Sequence, residues 1–189
     1  LQEQMLRLAA AGARGFRIRP GPGPADRWLD GPGYERMFAV AAARGLAICP
    51  LLNPAELPAL SGQCIRHPAT TVVIDHMARV GINEPVRDEH VRLLLGMARH
   101  RRVYVKVSAF YAFGARRPPY DDVVPLVRSL LRAYGPRRLM WGTDCPYQLA
   151  EHGYRDSLEL VRDRLPFLGA EERRWLLEKT ARAVYFRES

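Results

Sequence analysis

The sequence predicts an α/β fold, a parallel sheet covered by helices, and three observations carry that expectation. Short apolar runs at residues 15–19, 46–49, 70–74, 103–108 and 139–141 are separated by helix-like segments in strict alternation. The connections between them are too long for hairpins, which leaves parallel pairing through crossovers. In Val103-Tyr104-Val105-Lys106-Val107-Ser108 the apolar and polar residues alternate without a break, which is the period of a strand.

Taken in order, residues 1–13 read as a helix, with Met5, Leu6, Leu8 and Ala9 as its apolar stripe and Gly12 as its stop. Gly15 to Arg19 is a strand with Phe16 and Ile18 on one face and Arg17 and Arg19 on the other. Pro20-Gly21-Pro22-Gly23-Pro24 is a loop, because proline removes donors and glycine loosens the backbone. Tyr34 to Arg44 is a helix ended by Gly45, and Leu46 to Cys49 a strand ended by Pro50. Asn53-Pro54 opens the next helix, with Pro54 in the first turn. Thr70 to Ile74 is β-branched and extended. Glu84 to Arg99 reads as a helix, as do Asp121 to Tyr134 before Gly135-Pro136, Asp156 to Leu165, and Ala170 to Tyr185. No repeat, low-complexity tract or linker divides the chain, so residues 1–189 read as a single domain.

Composition excludes several classes. No apolar run approaches the roughly 20 residues of a membrane span, and no signal peptide is visible, so no membrane partner is expected. The net charge of +9 invites a nucleic-acid partner, but the positive residues are almost all arginines in scattered groups. Arg99–Arg102, Arg116-Arg117, Arg137-Arg138 and Arg173-Arg174 lack the interleaved aromatics of a single-strand binder, and solvated helix faces account for them. Cys49, Cys64 and Cys145 are odd in number and form neither a Cys-x-x-Cys pair nor a zinc pattern. A reduced, cytoplasmic protein is the simplest reading. The chain opens without an initiator Met, which reads as a fragment.

Reactive groups in parallel α/β sheets gather where strands end. Arg138 to Tyr147 (RLMWGTDCPY) is an apolar run stopped at Gly142-Thr143 that delivers Asp144 into a turn closed by Pro146. Thr71 to His76 delivers His76 in the same way, on the face of Val72 and Ile74. These two residues are expected to meet at one mouth, of a barrel or of an open sheet. A carboxylate and an imidazole there supply hydrolytic chemistry: a base near neutral pH, and a group that holds a metal, activates water or orients the histidine. Lys106 and Arg17 are candidate contacts for an anionic substrate or an oxyanion. Arg79 and Tyr147, which flank the two motifs, are further candidate substrate contacts. Lys106 also fits an exposed edge strand, and Arg17 and Arg19 the solvated edge of an incomplete sheet.

A catalytic zinc normally takes three protein ligands, and the other histidines do not complete a set. His67, before Pro68, falls at the opposite end of the sheet. His90 and His100 lie on or beside a helix and are expected exposed. His152 follows Asp144 and could reach the mouth. No His-x-His or His-Glu-x-x-His spacing occurs.

TTVVIDHMARVG, VYVKVSAF and RLMWGTDCPY, in this order, resemble the amidohydrolase-related family of TIM-barrel metal-dependent hydrolases, which includes lactone hydrolases and some decarboxylases. GARGFRIRP resembles that family's Gly-x-Arg strand. Leu57-Pro58 and His67-Pro68 place the likeness nearest its sugar-lactone hydrolase branch. The resemblance implies a (β/α) barrel of which residues 15–144 carry the fourth to eighth strands, a partial barrel of about the last five units. It implies Asp144 as the residue contacting a zinc-like divalent metal or the activated water, and His76 as acid/base. The chain departs from the family at the missing His-x-His, at the fifth strand, where Pro50 or Leu51 stands in place of a histidine, and at Cys145. These departures weigh against metal binding by this chain. The expected function is hydrolysis of a lactone or similar ester or amide, with a small-molecule substrate and a possible homo-oligomer. A decarboxylase on the same scaffold and a truncated, non-catalytic barrel fragment are the alternatives.

Overall fold

A computed structural model describes residues 2–82, 84–151 and 153–186. Its centre is a five-stranded parallel sheet whose spatial order follows the sequence. The strands are β1 (Gly15–Ile18), β2 (Ala47–Pro50), β3 (Thr71–Ile74), β4 (Val103–Ser108) and β5 (Leu139–Gly142). Register aligns Arg17 with Cys49, Val73 with Tyr104, and Lys106 with Met140. Each crossover carries helix: α1 (Gln2–Ala10) precedes β1, then come α2 (Pro32–Arg44), α3 (Leu57–Arg66), α4 (Asp88–Gly96) and α5 (Val124–Tyr134).

The chain closes with α6 (Tyr147–Glu151), α7 (Tyr154–Asp163), α8 (Ala170–Arg174) and α9 (Thr180–Tyr185). A π-helical stretch, Trp175–Lys179, joins the last two, so the expected helix from Ala170 to Tyr185 is continuous but locally widened. Among the described residues no helix is long and apolar enough to cross a membrane.

Local rules explain most boundaries. Gly45 ends α2 in the left-handed conformation (φ 63°), its N–H reaching the carbonyls of Ala41 and Ala42, a geometry that only glycine adopts without strain. Two expectations need correction. The helix expected from Glu84 starts at Asp88, because a residue before proline is pushed out of the helical region and Glu84 precedes Pro85. A short helix, α6, also follows Pro146, where the sequence reading had only a turn.

The two faces of the sheet bury different things. Ile18, Ile48, Val72, Ile74, Val103, Val105, Val107 and Leu139 pack into the main core beneath the helices. The inner face holds a smaller cluster of Ala47, Cys49, Val73 and Met140, covered by Val184 and flanked by Tyr104 and Tyr185. The inner face is therefore apolar near the middle of the strands and polar only toward their C-terminal ends.

Candidate active site

Three strands deliver the site, and each turns left-handed as it ends. Asp144 follows β5 with φ 55°, Ala109 follows β4 with φ 61°, and His76 follows β3 with φ 48°. After β3 the conformation persists through Met77, Ala78 and Arg79, a full left-handed turn without glycine. Left-handed backbone costs roughly 1–2 kcal/mol per non-glycine residue. Strain of this kind is kept where surrounding packing holds it, and it clusters at functional sites. Met77 and Ala78 supply that packing, since both are fully buried in the main core.

The left-handed turn also corrects an expectation. Strict alternation through residue 76 puts His76 on the Val72/Ile74 face, under the helices. The strand stops at Ile74 instead, and the turn swings the imidazole back to the mouth. There His76 Nδ1 lies 2.8 Å from Ser108 Oγ, and His76 Nε2 lies 3.4 Å from Asp144 Oδ1. Tyr111 donates its hydroxyl to Asp144 Oδ2 at 2.6 Å. The side chains of His76 and Asp144 are only 10% and 15% exposed, so the pair is sheltered yet reachable.

The charges around the pair are fixed by a residue that the sequence reading passed over. Asp75, immediately before His76, is fully buried on the inner face. It accepts from Arg17 Nε at 2.9 Å, and Arg17 Nη2 lies 2.8 Å from the same oxygen. Lys106 Nζ lies 2.8 Å from the other oxygen. Two cations over one carboxylate leave the cluster around Asp75 with one net positive charge. Burial pushes the His76 imidazole below its ordinary 6.5, with Asp144 and Asp75 pulling it back up and Arg17 and Lys106 lowering it further. The ring is therefore neutral near pH 7. Burial, followed by the hydrogen bond to Asp144, pushes the Tyr111 hydroxyl far up, so it remains a donor.

The structure thus brings His76, Asp144, Lys106 and Arg17 to one end of the sheet, with the two cations held by Asp75. Arg79 is half-buried beside Tyr111, lowering that hydroxyl's pKa, and its guanidinium has no ion pair among the described residues. Tyr147 is 69% exposed at the rim. His152 lies outside the described residues. His67 stands at the far end of the sheet against Glu35. His90 and His100, expected exposed, are half-buried: His90 faces Glu84 at 3.3 Å and His100 faces Ser61 at 2.8 Å.

Asp75, Ser108 and Tyr111 were missed as site residues. The first two share the Lys106 face by alternation, a signal that was available. Tyr111 lies beyond β4 in a tight turn, where period carries no information.

A family model for amidohydrolases matches residues 1–187. The chain belongs to the amidohydrolase family. It is 33% identical to an L-fucono-1,5-lactonase of Burkholderia ambifaria over 67% of its own length and 44% of that protein's. It is 30% identical to a 2-pyrone-4,6-dicarboxylate hydrolase of Comamonas testosteroni, over 98% of its own length and 63% of the relative's. A crystal structure of an amidohydrolase from Burkholderia multivorans with bound zinc superposes with a TM-score of 0.86 at 26% identity. That match covers 98% of this chain and 70% of the other. This amidohydrolase chain therefore spans roughly half of these curated relatives.

The parallel arc of five strands is the corresponding part of an amidohydrolase TIM barrel. Its donor set does not match a catalytic zinc, which takes about three protein ligands. Among the described residues no group of three or more His, Cys, Asp and Glu side chains could hold a metal ion. Asp144 and His76 provide two donors, and the next carboxylate, Asp75, is committed to Arg17 and Lys106.

Proposed function

We propose that the protein hydrolyses a lactone, with Asp144 and His76 as its reactive pair. The observation that carries this is the 3.4 Å separation of His76 Nε2 and Asp144 Oδ1 at the strand exits. That gap is longer than a good N–H···O hydrogen bond of about 2.7–3.2 Å, so one water can contact both atoms. Two curated relatives, the L-fucono-1,5-lactonase and the 2-pyrone-4,6-dicarboxylate hydrolase, support the same substrate class.

Asp144, oriented by the Tyr111 hydroxyl, takes a proton from the water as its oxygen adds to the lactone carbonyl. His76, neutral and braced by Ser108, carries the proton between Asp144 and the departing ring oxygen. The ring C–O bond breaks, the carbonyl carbon becomes a carboxylate, and the former ring oxygen leaves as a hydroxyl. The net positive charge around Asp75 steadies the developing oxyanion. Arg79, whose guanidinium has no ion pair among the described residues, receives an acidic group on the substrate, and Tyr147 forms an aromatic wall. The described side chains fall short of a three-ligand metal centre, and no step here passes through a metal.

The test is proton release, followed at constant pH, on sugar lactones and on 2-pyrone-4,6-dicarboxylate. Asp144→Asn and His76→Asn are expected to lower kcat by roughly 10²–10⁴ with the fold intact by circular dichroism. Wild-type rates in both variants would refute the assignment.

A further inference from the structure

At the end of the sheet away from His76 and Asp144 lies a second cavity, of about 260 Å³. It is enclosed by the last turn of α3, the segment entering β3 and the segment entering β4. His67, Arg99, His100, Arg101 and Arg102 line it, and among the described residues no carboxylate does. Glu35, which reaches the lining residue His67, is already shared by Arg66 and His67. Cys64 adds no negative charge, because burial pushes its thiol up to about 12.

The donors here exceed the acceptors. Arg102 donates from Nη2 to Thr71 Oγ1 at 2.8 Å, while its Nε–H is buried and finds no acceptor among the described residues. Arg99 donates from Nη2 to Ser61 Oγ at 2.6 Å and from Nε to His100 Nε2 at 3.3 Å. Arg101 is exposed and makes no side-chain hydrogen bond or ion pair among the described residues. Burial and the neighbouring Arg99 hold the pKa of His100 down, so its ring is neutral in a field that is already positive. An anion entering the recess would meet the side chains of Arg99, Arg101 and Arg102, with no carboxylate among the described lining residues to compete for them.

We propose that this cavity is an anion site that takes a phosphate-type oxyanion, either free phosphate or the head of a phosphomonoester. The forked donors of arginine match tetrahedral oxyanions in geometry as well as charge. The volume falls below the roughly 300–1,000 Å³ of pockets for drug-sized ligands, which suits a small anion. Its lining is one recess without an aromatic stacking platform, so a nucleic-acid strand is not its ligand. The site is separate from the lactone chemistry, and a bound anion would tie together the segments that lead into β3 and β4.

Titration calorimetry with inorganic phosphate, at ionic strength held constant with sodium chloride, tests this on the wild type, Arg101→Gln and Arg102→Gln. Saturable binding is expected in the wild type, weakened roughly tenfold in each variant. Arg101→Gln removes no side-chain hydrogen bond or ion pair among the described residues, and circular dichroism checks that its fold is intact. In a parallel titration with a sugar phosphate, affinity well above that of phosphate assigns the phosphomonoester and equal affinity assigns the free ion. Histidine NMR locates the site, because bound phosphate raises the pH at which His100 protonates. No saturable binding up to roughly 10 mM, equal affinity in Arg101→Gln, or an unmoved His100 would each overturn the proposal.

Discussion

His76 and Asp144 stand on strands that are not neighbours, yet His76 Nε2 lies 3.4 Å from Asp144 Oδ1. β4 runs between β3 and β5. Its last residue, Ser108, meets His76 Nδ1 at 2.8 Å, and Tyr111, three residues beyond, holds Asp144 at 2.6 Å. The middle strand thus braces both partners without being one of them. The left-handed turns after β3 and β5 aim the two side chains across it.

Tyr111→Phe removes one hydrogen bond to a carboxylate and leaves the ring in place. Hydrogen bonds to charged groups contribute about 1.5–3 kcal/mol, so kcat is expected to fall roughly 10- to 100-fold. The melting temperature should move little, because Tyr111 is only half-buried and its apolar ring stays packed against the core. Steady-state kinetics on a lactone that the wild type hydrolyses reads this. An unchanged kcat would mean that Asp144 needs no orienting partner.

Asp75→Asn tests the buried charge beneath the pair. Breaking a buried ion pair costs about 3–5 kcal/mol, and the lower end applies here because Arg17 is 48% exposed and can turn to water. A loss near 3 kcal/mol corresponds to roughly 6–12 °C in melting temperature for a chain of this size. Lys106, only 24% exposed, carries most of the penalty. Thermal unfolding should therefore recover in Asp75→Asn with Lys106→Met, since removing both charges of a buried pair is close to neutral. No recovery would place the stability of this corner elsewhere.

The architecture was legible because each face of the sheet has a chemical identity. Val103, Val105 and Val107 lie together in the helix-covered core, and Lys106 and Ser108 point the other way, as period 2 requires. Leucine-rich α5 and its glycine stop were equally plain in the sequence. The pairing of His76 with Asp144 was expected from their strand-end positions, but the orientation of His76 was not. Period stops informing once φ turns positive, and nothing in Asp75-His76-Met77-Ala78 announces a left-handed turn without glycine. Alternation placed Asp75 on the inner face, but its partners were hidden for a different reason. Its neighbour in the sequence held the chemistry, while its own role depends on Arg17 and Lys106, 58 and 31 residues away. Such partners become visible only when register is known.

The protonation of His76 sets the acid limb of both activity and stability, and the two can be separated. Burial lowers the folded-state pKa of His76 below 6.5, so between that lowered value and 6.5 the unfolded chain binds more protons than the folded one. Stability should rise with pH across this window, level off above 6.5, and carry the full penalty below the folded value. His100, lowered for the same reason, adds a stability change of the same sign but has no part in the chemistry. The rate should hold at pH 6.5 and fall only as His76 itself protonates at lower pH. Asp144 raises the His76 pKa, so in Asp144→Asn the His76 NMR titration should shift lower still. An upward shift in that variant would show that the carboxylate does not face the imidazole, whatever the kinetics of the wild type.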